Sequence, residues 1–301
     1  MLGLGSRAGY GTPWCRWAVF LVIAGLGALP RPGVARDTVN VGLAPVYLDN
    51  DRTTLAAFQS YLERRLGRTV RFVERASYDD LTRLLRSGRL DAAWICTNPY
   101  LQFRNEYTVL GVPVYHGQPL YRSYIIVADT EPQVRTLQDL RGKVFAFSDP
   151  DSNSGYLVVR RALAGLGERP QTFFRRSFFT NGHRQVVYAV AAGLAHGGAV
   201  ESYVWDRLRS REPEVVHHTR IISRSRWFGF PPIVAPIDTD GSLRDAFSAA
   251  LLEMEADPSG RKVLQRLALD RFITPPPDLY ATPPLASTQP PDDAPASVIW
   301  R

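Results

Sequence analysis

Thr69 to Cys96, TVRFVERASYDDLTRLLRSGRLDAAWIC, is the stretch on which the fold turns. Its start, Thr69-Val-Arg-Phe-Val73, is rich in β-branched and aromatic residues and reads as a strand. Ser77-Tyr-Asp-Asp80 has a hydroxyl three residues before an acid, the spacing of a capping box, and Leu81, Leu84 and Leu85 follow on one helical face. Leu90-Asp-Ala-Ala-Trp-Ile-Cys96 then returns to strand. A strand, a helix and a second strand make a crossover, which sets the two strands parallel and the class as α/β.

The pattern extends in both directions. Upstream, Thr38-Val-Asn-Val-Gly-Leu-Ala44 reads as a strand, and Leu55, Phe58, Leu62 and Leu66 share a helical face. Downstream, the strand Val144-Phe-Ala-Phe147 precedes one helix carrying Tyr156, Val159, Leu163 and Leu166 and another carrying Val187, Val190, Ala191 and Leu194. Two uninterrupted apolar runs, Ser123 to Ala128 and Pro231 to Pro236, bracket this second set. Each reads as a buried strand; as a pair they could equally be the two crossings of an interdomain hinge. A helix with Leu243, Phe247, Ala250, Leu251 and Met254 on one face follows, and proline-rich sequence from Thr274 leads into a tail.

The 301 residues are 45% hydrophobic and 22% charged, enough apolar material for one large or two medium cores, and a composition that excludes general disorder. Arg7 and Arg16 precede the apolar run Trp17 to Leu29, with Gly33-Val-Ala35 beyond it, which is the layout of a secretory signal cleaved after Ala35. The run is shorter than the roughly 20 residues needed to span a bilayer. Cleavage would remove three arginines and no acids, lowering the net charge from +7 to +4, a value that suits an anionic ligand and gives no sign of nucleic-acid binding. Cys96 would then be the one thiol.

The chemistry concentrates in Ser148-Asp-Pro-Asp-Ser-Asn-Ser-Gly-Tyr156. Serine and asparagine at a helix start are ordinary caps, but the free N–H groups of a first turn with hydroxyls beside them also bind anions. A hydrolase reading would assemble Ser154, His183 and Asp206. Against it, G-x-S-x-G is missing, and Ala195-His-Gly-Gly-Ala199 follows the supposed nucleophile where an oxyanion loop would precede it. The sequence has no H-E-x-x-H, paired-cysteine or P-loop motif, so neither metal nor cofactor is expected.

Six segments in order resemble the phosphonate-binding family of periplasmic solute-binding proteins of ABC importers. They are the opening strand with Ala44-Pro-Val-Tyr47, Asp91 to Tyr100, Tyr121 to Val127, Leu137 to Phe147, Asp149 to Tyr156, and Gly182 to Gly193. The resemblance implies a type II fold in which two lobes joined by a two-crossing hinge close on an oxyanion. Residues 36–122 and 231–280 would form lobe I and 123–230 lobe II, between a signal peptide at 1–35 and a tail at 281–301. The family's serine-threonine-serine-glycine motif maps onto Ser152, Asn153, Ser154 and Gly155, so asparagine replaces threonine. Tyr47 and Tyr100 occupy the positions of tyrosines that cover the ligand. His183 keeps its place, its neighbour is Arg184 where an acid is usual, and Glu201 is the acid that would meet an aminoalkyl group. The implied ligand is phosphonate, phosphate, phosphite or a relative. The implied partner is a transporter permease or, alternatively, a sensor kinase, with the protein a periplasmic monomer. Cys96 reads as a small buried residue or as a soft ligand for arsenite.

Overall fold

The computed structural model describes residues 38–44 and 52–281. In chain order the strands are β1 (Thr38–Leu43), β2 (Thr69–Glu74), β3 (Ala92–Trp94), β4 (Tyr107–Val114), β5 (Leu120–Tyr121), β6 (Ser123–Ala128), β7 (Val144–Phe147), β8 (Arg176–Phe179), β9 (Gly197–Glu201), β10 (Thr219–Arg224), β11 (Phe228–Gly229), β12 (Ile233–Pro236) and β13 (Arg271–Ile273). They form two sheets, β13-β4-β12-β3-β1-β2 and β10-β6-β9-β7-β8, with β5 and β11 paired as a separate ribbon.

Both sheets follow one plan. In each, three strands linked by helices run parallel in the order second, first, third: β2-β1-β3 and β8-β7-β9. Beside the third lies an antiparallel strand, β12 in one sheet and β6 in the other. These two are the apolar runs of the sequence, and they are buried strands rather than hinge crossings: all six residues of β6 and all four of β12 are shielded, as central strands covered on both faces must be. The crossings lie just outside them. β5 runs into β6 and β10 into β11, and the pairing of Tyr121 with Phe228 holds the two connections together. Ser123 and Ser225 stitch them once more: the Ser123 N–H donates to Ser225 Oγ (2.9 Å) and the Ser225 N–H to the Ser123 carbonyl (2.9 Å).

Helices cover the sheets where their apolar spacing requires it. Arg52–Leu66 buries Phe58, Tyr61 and Leu62, and Gly241–Leu252 buries Leu243, Phe247, Ala250 and Leu251. Ser77 caps Tyr78–Arg86 as its spacing predicts, accepting from the Asp80 N–H at 3.1 Å. Two helices are shorter than their apolar pattern. Val158–Ala164 stops before Leu166, which is 42% exposed, and His183–Ala191 stops before Leu194, 70% exposed. In both cases a left-handed glycine, Gly167 or Gly193, turns the chain away, and such a turn ends a helix whatever the periodicity beyond it. Among the described residues no helix is long and apolar enough to cross a membrane. The expected signal, Tyr47 and the proline-rich tail lie outside the described residues.

Candidate functional site

The C-terminal ends of the parallel strands in both sheets converge on one place, where open α/β sheets keep their ligands. Cys96 follows β3, Ser148 follows β7, Glu201 ends β9, and His183 opens the helix after β8. All four are fully buried or nearly so.

Asn153–Leu157 is a single wide π-helical turn leading directly into Val158–Ala164. Ser152 caps it, its Oγ accepting from the Gly155 N–H at 3.0 Å. The wider winding splays the first N–H groups, a geometry common at functional sites. Gly155 is sterically required: a Cβ there would stand 1.8 Å from Ser148 Oγ and 2.9 Å from His183 Cε1. Ser123 anchors the turn from the hinge, its hydroxyl donating to the Ser154 carbonyl at 2.6 Å. The Oγ atoms of Ser148 and Ser154 and the Tyr78 hydroxyl are buried with no hydrogen-bond partner among the described residues. Leaving a hydroxyl so costs about 1–3 kcal/mol, a cost that a ligand accepting from it would offset.

His183 is locked in one form. Its Nδ1 accepts the Glu201 N–H at 3.1 Å, which leaves the ring proton on Nε2, 3.4 Å from Ser152 Oγ and 3.8 Å from a Glu201 carboxylate oxygen. Burial lowers its pKa to about 3, so the imidazole is neutral. Both ring nitrogens are thus engaged by Ser152 and Glu201. Asp206 lies elsewhere, beside the Tyr124 hydroxyl and Arg209, and the hydrolase triad of Ser154, His183 and Asp206 is not assembled.

The first lobe reaches the turn through Cys96, Asn98 and Tyr78. Burial, then the charge of Glu201, pushes the Cys96 thiol up to about 12, against hydrogen bonds to its sulfur from the Asn153 and Asn98 N–H groups. The Asn98 amide donates to the Asp151 carbonyl at 3.3 Å, and the Tyr78 N–H donates to the Asp149 carboxylate at 3.2 Å. The lobes are therefore in contact around the site.

Of the residues singled out from the sequence, Ser152, Asn153, Ser154, His183, Glu201 and Cys96 come together here. Asn153 departs from a simple ligand role, since its amide donates to the Tyr121 hydroxyl of the ribbon at 2.7 Å. Tyr100 is half-buried and packs edge-on against Tyr280, with ring centroids 4.7 Å apart. Arg184 turns away from the site to Tyr188 and Glu212, so the replacement of the usual acid adds no cation to the pocket. Sequence reasoning missed Tyr78, Asn98, Tyr121, Ser123, Ser148 and Asp149. The last two stand within the quoted donor-rich stretch, whereas Tyr78 carries no local sign of a site. Among the described residues no group of three or more His, Cys, Asp or Glu side chains could hold a metal ion.

The model of the ABC transporter phosphonate periplasmic substrate-binding proteins matches residues 41–280. A curated relative, the phosphate-import protein PhnD of Mycolicibacterium smegmatis, is 26% identical over 172 residues, covering 52% of this chain and 54% of its own. The chain thus matches about half the length of that relative. A binding protein component of an ABC phosphonate transporter from Pseudomonas aeruginosa superposes with a TM-score of 0.73 at 20% identity, covering 81% of this chain and 83% of the other. PhnD1 from Prochlorococcus marinus in complex with methylphosphonate gives 0.71 at 18%, covering 81% and 94%. At such identities these two structures speak for the two-lobed fold alone. The family match spans most of the chain, and the protein belongs to the phosphonate-binding family, the periplasmic substrate-binding proteins of ABC transporters.

Proposed function

We propose that this protein is exported, binds a phosphate- or phosphonate-like oxyanion between its lobes, and delivers it to an ABC importer. The observation that carries the reading is the pair of buried serine hydroxyls, Ser148 after β7 and Ser154 in the turn, neither with a hydrogen-bond partner among the described residues. Ser152 shapes the turn, Gly155 lets it approach Ser148 and His183, and Tyr47 and Tyr100 are assigned to the cover over the ligand. The lobes are taken as 36–122 with 231–280 and as 123–230, hinged at the β5–β11 ribbon. Closure removes water from the anion and strengthens each hydrogen bond to it, so ligand binding shifts the population to the closed form that the permease reads. Binding, not turnover, is the role of Ser154 and His183. Export follows from the leader at 1–35 and places the protein in the periplasm.

Cys96 supports a second ligand chemistry, because its sulfur faces the Asn153 N–H inside the site. An arsenite As–OH would exchange for As–S, the thiol proton leaving with the hydroxyl as water.

A thermal-shift screen of phosphate, phosphite, methylphosphonate, 2-aminoethylphosphonate and arsenite tests both. A ligand that binds only the folded state stabilises it by about 2.7 kcal/mol at a hundred times its Kd, which appears as a higher Tm. A phosphorus oxyanion is expected to raise the Tm. No shift with any of them would refute the oxyanion reading, and no shift with arsenite in wild type would remove the thiol from the ligand chemistry.

A further inference from the structure

We infer that Arg207 and Arg211 position the two lobes for ligand binding: from the far side of the hinge they hold the end of a first-lobe helix, keep the lobes near the closed form, and so set ligand affinity without touching the ligand. The inference rests on the lobes and the closure proposed above and names residues that govern them. Ser202–Arg211 follows β9 of the second lobe and starts at the hinge, where the Ser202 N–H donates to the Arg122 carbonyl at 2.9 Å and the Arg122 N–H to Ser202 Oγ at 3.1 Å. Tyr203, Arg207 and Arg211, spaced four apart, share one face of this helix. Opposite them stands the C-terminal end of Pro258–Leu267, the first-lobe helix that leads into β13. A helix leaves its last carbonyls without intrahelical partners and carries partial negative charge there. The left-handed turn at Ala268 satisfies the Leu264 and Gln265 carbonyls, from the N–H groups of Leu269 and Ala268. The next two are met from the other lobe. Arg207 donates to the Arg266 carbonyl at 2.8 Å, Arg211 to the same oxygen at 2.6 Å, and the Tyr203 hydroxyl to the Leu267 carbonyl at 2.5 Å. Arg207 also donates to the Tyr203 hydroxyl oxygen at 3.0 Å, which ties the three side chains together.

Sheet order places this contact across the hinge from the ligand. The crossings leave the first sheet from β4 and β12, which are neighbours in the order β13-β4-β12-β3-β1-β2. Cys96, after β3, lies on one side of that pair, and Leu267, ahead of β13, lies on the other. A rotation at the crossings that parts the lobes at Cys96 therefore presses them together at Leu267, where donors and carbonyls already stand at hydrogen-bond distance. The two arginines are thus a tie in the closed form and a stop against opening. Shortening them to alanine loosens both. A protein whose binding-competent form is populated only in part loses apparent affinity by that fraction.

Small-angle scattering, and calorimetry with phosphate and methylphosphonate, test this on wild type, on Arg207→Ala/Arg211→Ala and on Arg209→Ala/Arg261→Ala, with a thermal melt to check folding. The last variant removes the same charge from these two helices, yet Arg209 answers to Asp206 and Arg261 to the Glu255 and Ala256 carbonyls, each within its own lobe. Arg207→Ala/Arg211→Ala is expected to show a larger radius of gyration than wild type without ligand, the wild-type radius when saturated, and binding weakened at least about fivefold. At about 0.15 M salt, where charges more than about 8 Å apart are screened, Arg209→Ala/Arg261→Ala is expected to keep the wild-type radius and to weaken binding less than about twofold. An unchanged ligand-free radius in Arg207→Ala/Arg211→Ala would overturn the inference. Tighter binding by that variant would overturn it too, since the contact would then hold the lobes open, and so would equal losses in both double variants, since charge alone would account for them. Should the melt show Arg207→Ala/Arg211→Ala unfolded, Arg211→Ala, at an exposed position, carries the same comparison. If wild type binds neither anion, the oxyanion reading fails, and the ligand-free radii by themselves decide whether the contact holds the lobes.

Discussion

Ser154 holds a fully buried hydroxyl that finds no hydrogen-bond partner among the described residues. Such a group destabilises the fold by itself, so its removal and its function pull in opposite directions. Ser154→Ala is expected to lower oxyanion affinity by roughly 1–3 kcal/mol, about 5- to 150-fold, while the ligand-free Tm stays level or rises. Calorimetry and a melt on the same preparation decide it: unchanged affinity would take Ser154 out of the site. At this scale the sequence was informative wherever the chemistry was local. Ser152 to Gly155 stood out because a helix start concentrates donors in consecutive residues. Tyr78 and Tyr121 did not stand out, because a tyrosine becomes a site residue only through what the fold sets opposite it.

The helix Tyr78–Arg86 shows how one element serves both lobes. Ser77 satisfies the Asp80 N–H, and the Tyr78 N–H, among the first donors that a helix leaves unpaired, is taken by Asp149 of the other lobe. Burial raises the Asp149 pKa, partly offset by the N–H groups of Asp151 and Tyr78. Asp149→Ala removes the acceptor for both. It is expected to shift the ligand-free protein toward the open form, seen as a larger radius of gyration in small-angle scattering that contracts on adding ligand. An unchanged ligand-free radius would show that the contact does not govern closure. Element existence was legible from apolar spacing: the helices at 52–66 and 241–252 follow it closely. Element ends were not: Leu166 continues the pattern past the end of its helix at Ala164, just before the left-handed Gly167, and Leu194 continues it after the left-handed Gly193.

For the whole molecule, the buried neutral His183 ties stability to pH. Its pKa is about 3 in the folded protein against an ordinary value of 6.5. Between those values the unfolded chain binds a proton that the folded chain refuses, so this group's contribution to stability is intact above 6.5 and is lost as the pH falls, by up to about 1.4 kcal/mol per unit. Urea midpoints measured at about pH 5 and about pH 7 should drop toward acid in wild type and drop less in His183→Gln; parallel profiles would show that the ring is protonated in the native state.

The α/β class, the alternation of strand and helix and the donor-rich turn were determined by the sequence alone, because all three rest on spacing and side-chain type within some thirty residues. Tertiary structure decided that the apolar runs at 123–128 and 233–236 are central strands and that the hinge is the short ribbon beside them. It also decided that His183 answers to Ser152 and Glu201 and not to Ser154 and Asp206. The physical reason is the same in both cases: strand order and the pairing of buried polar groups depend on which distant segments pack together, and no local pattern encodes that choice.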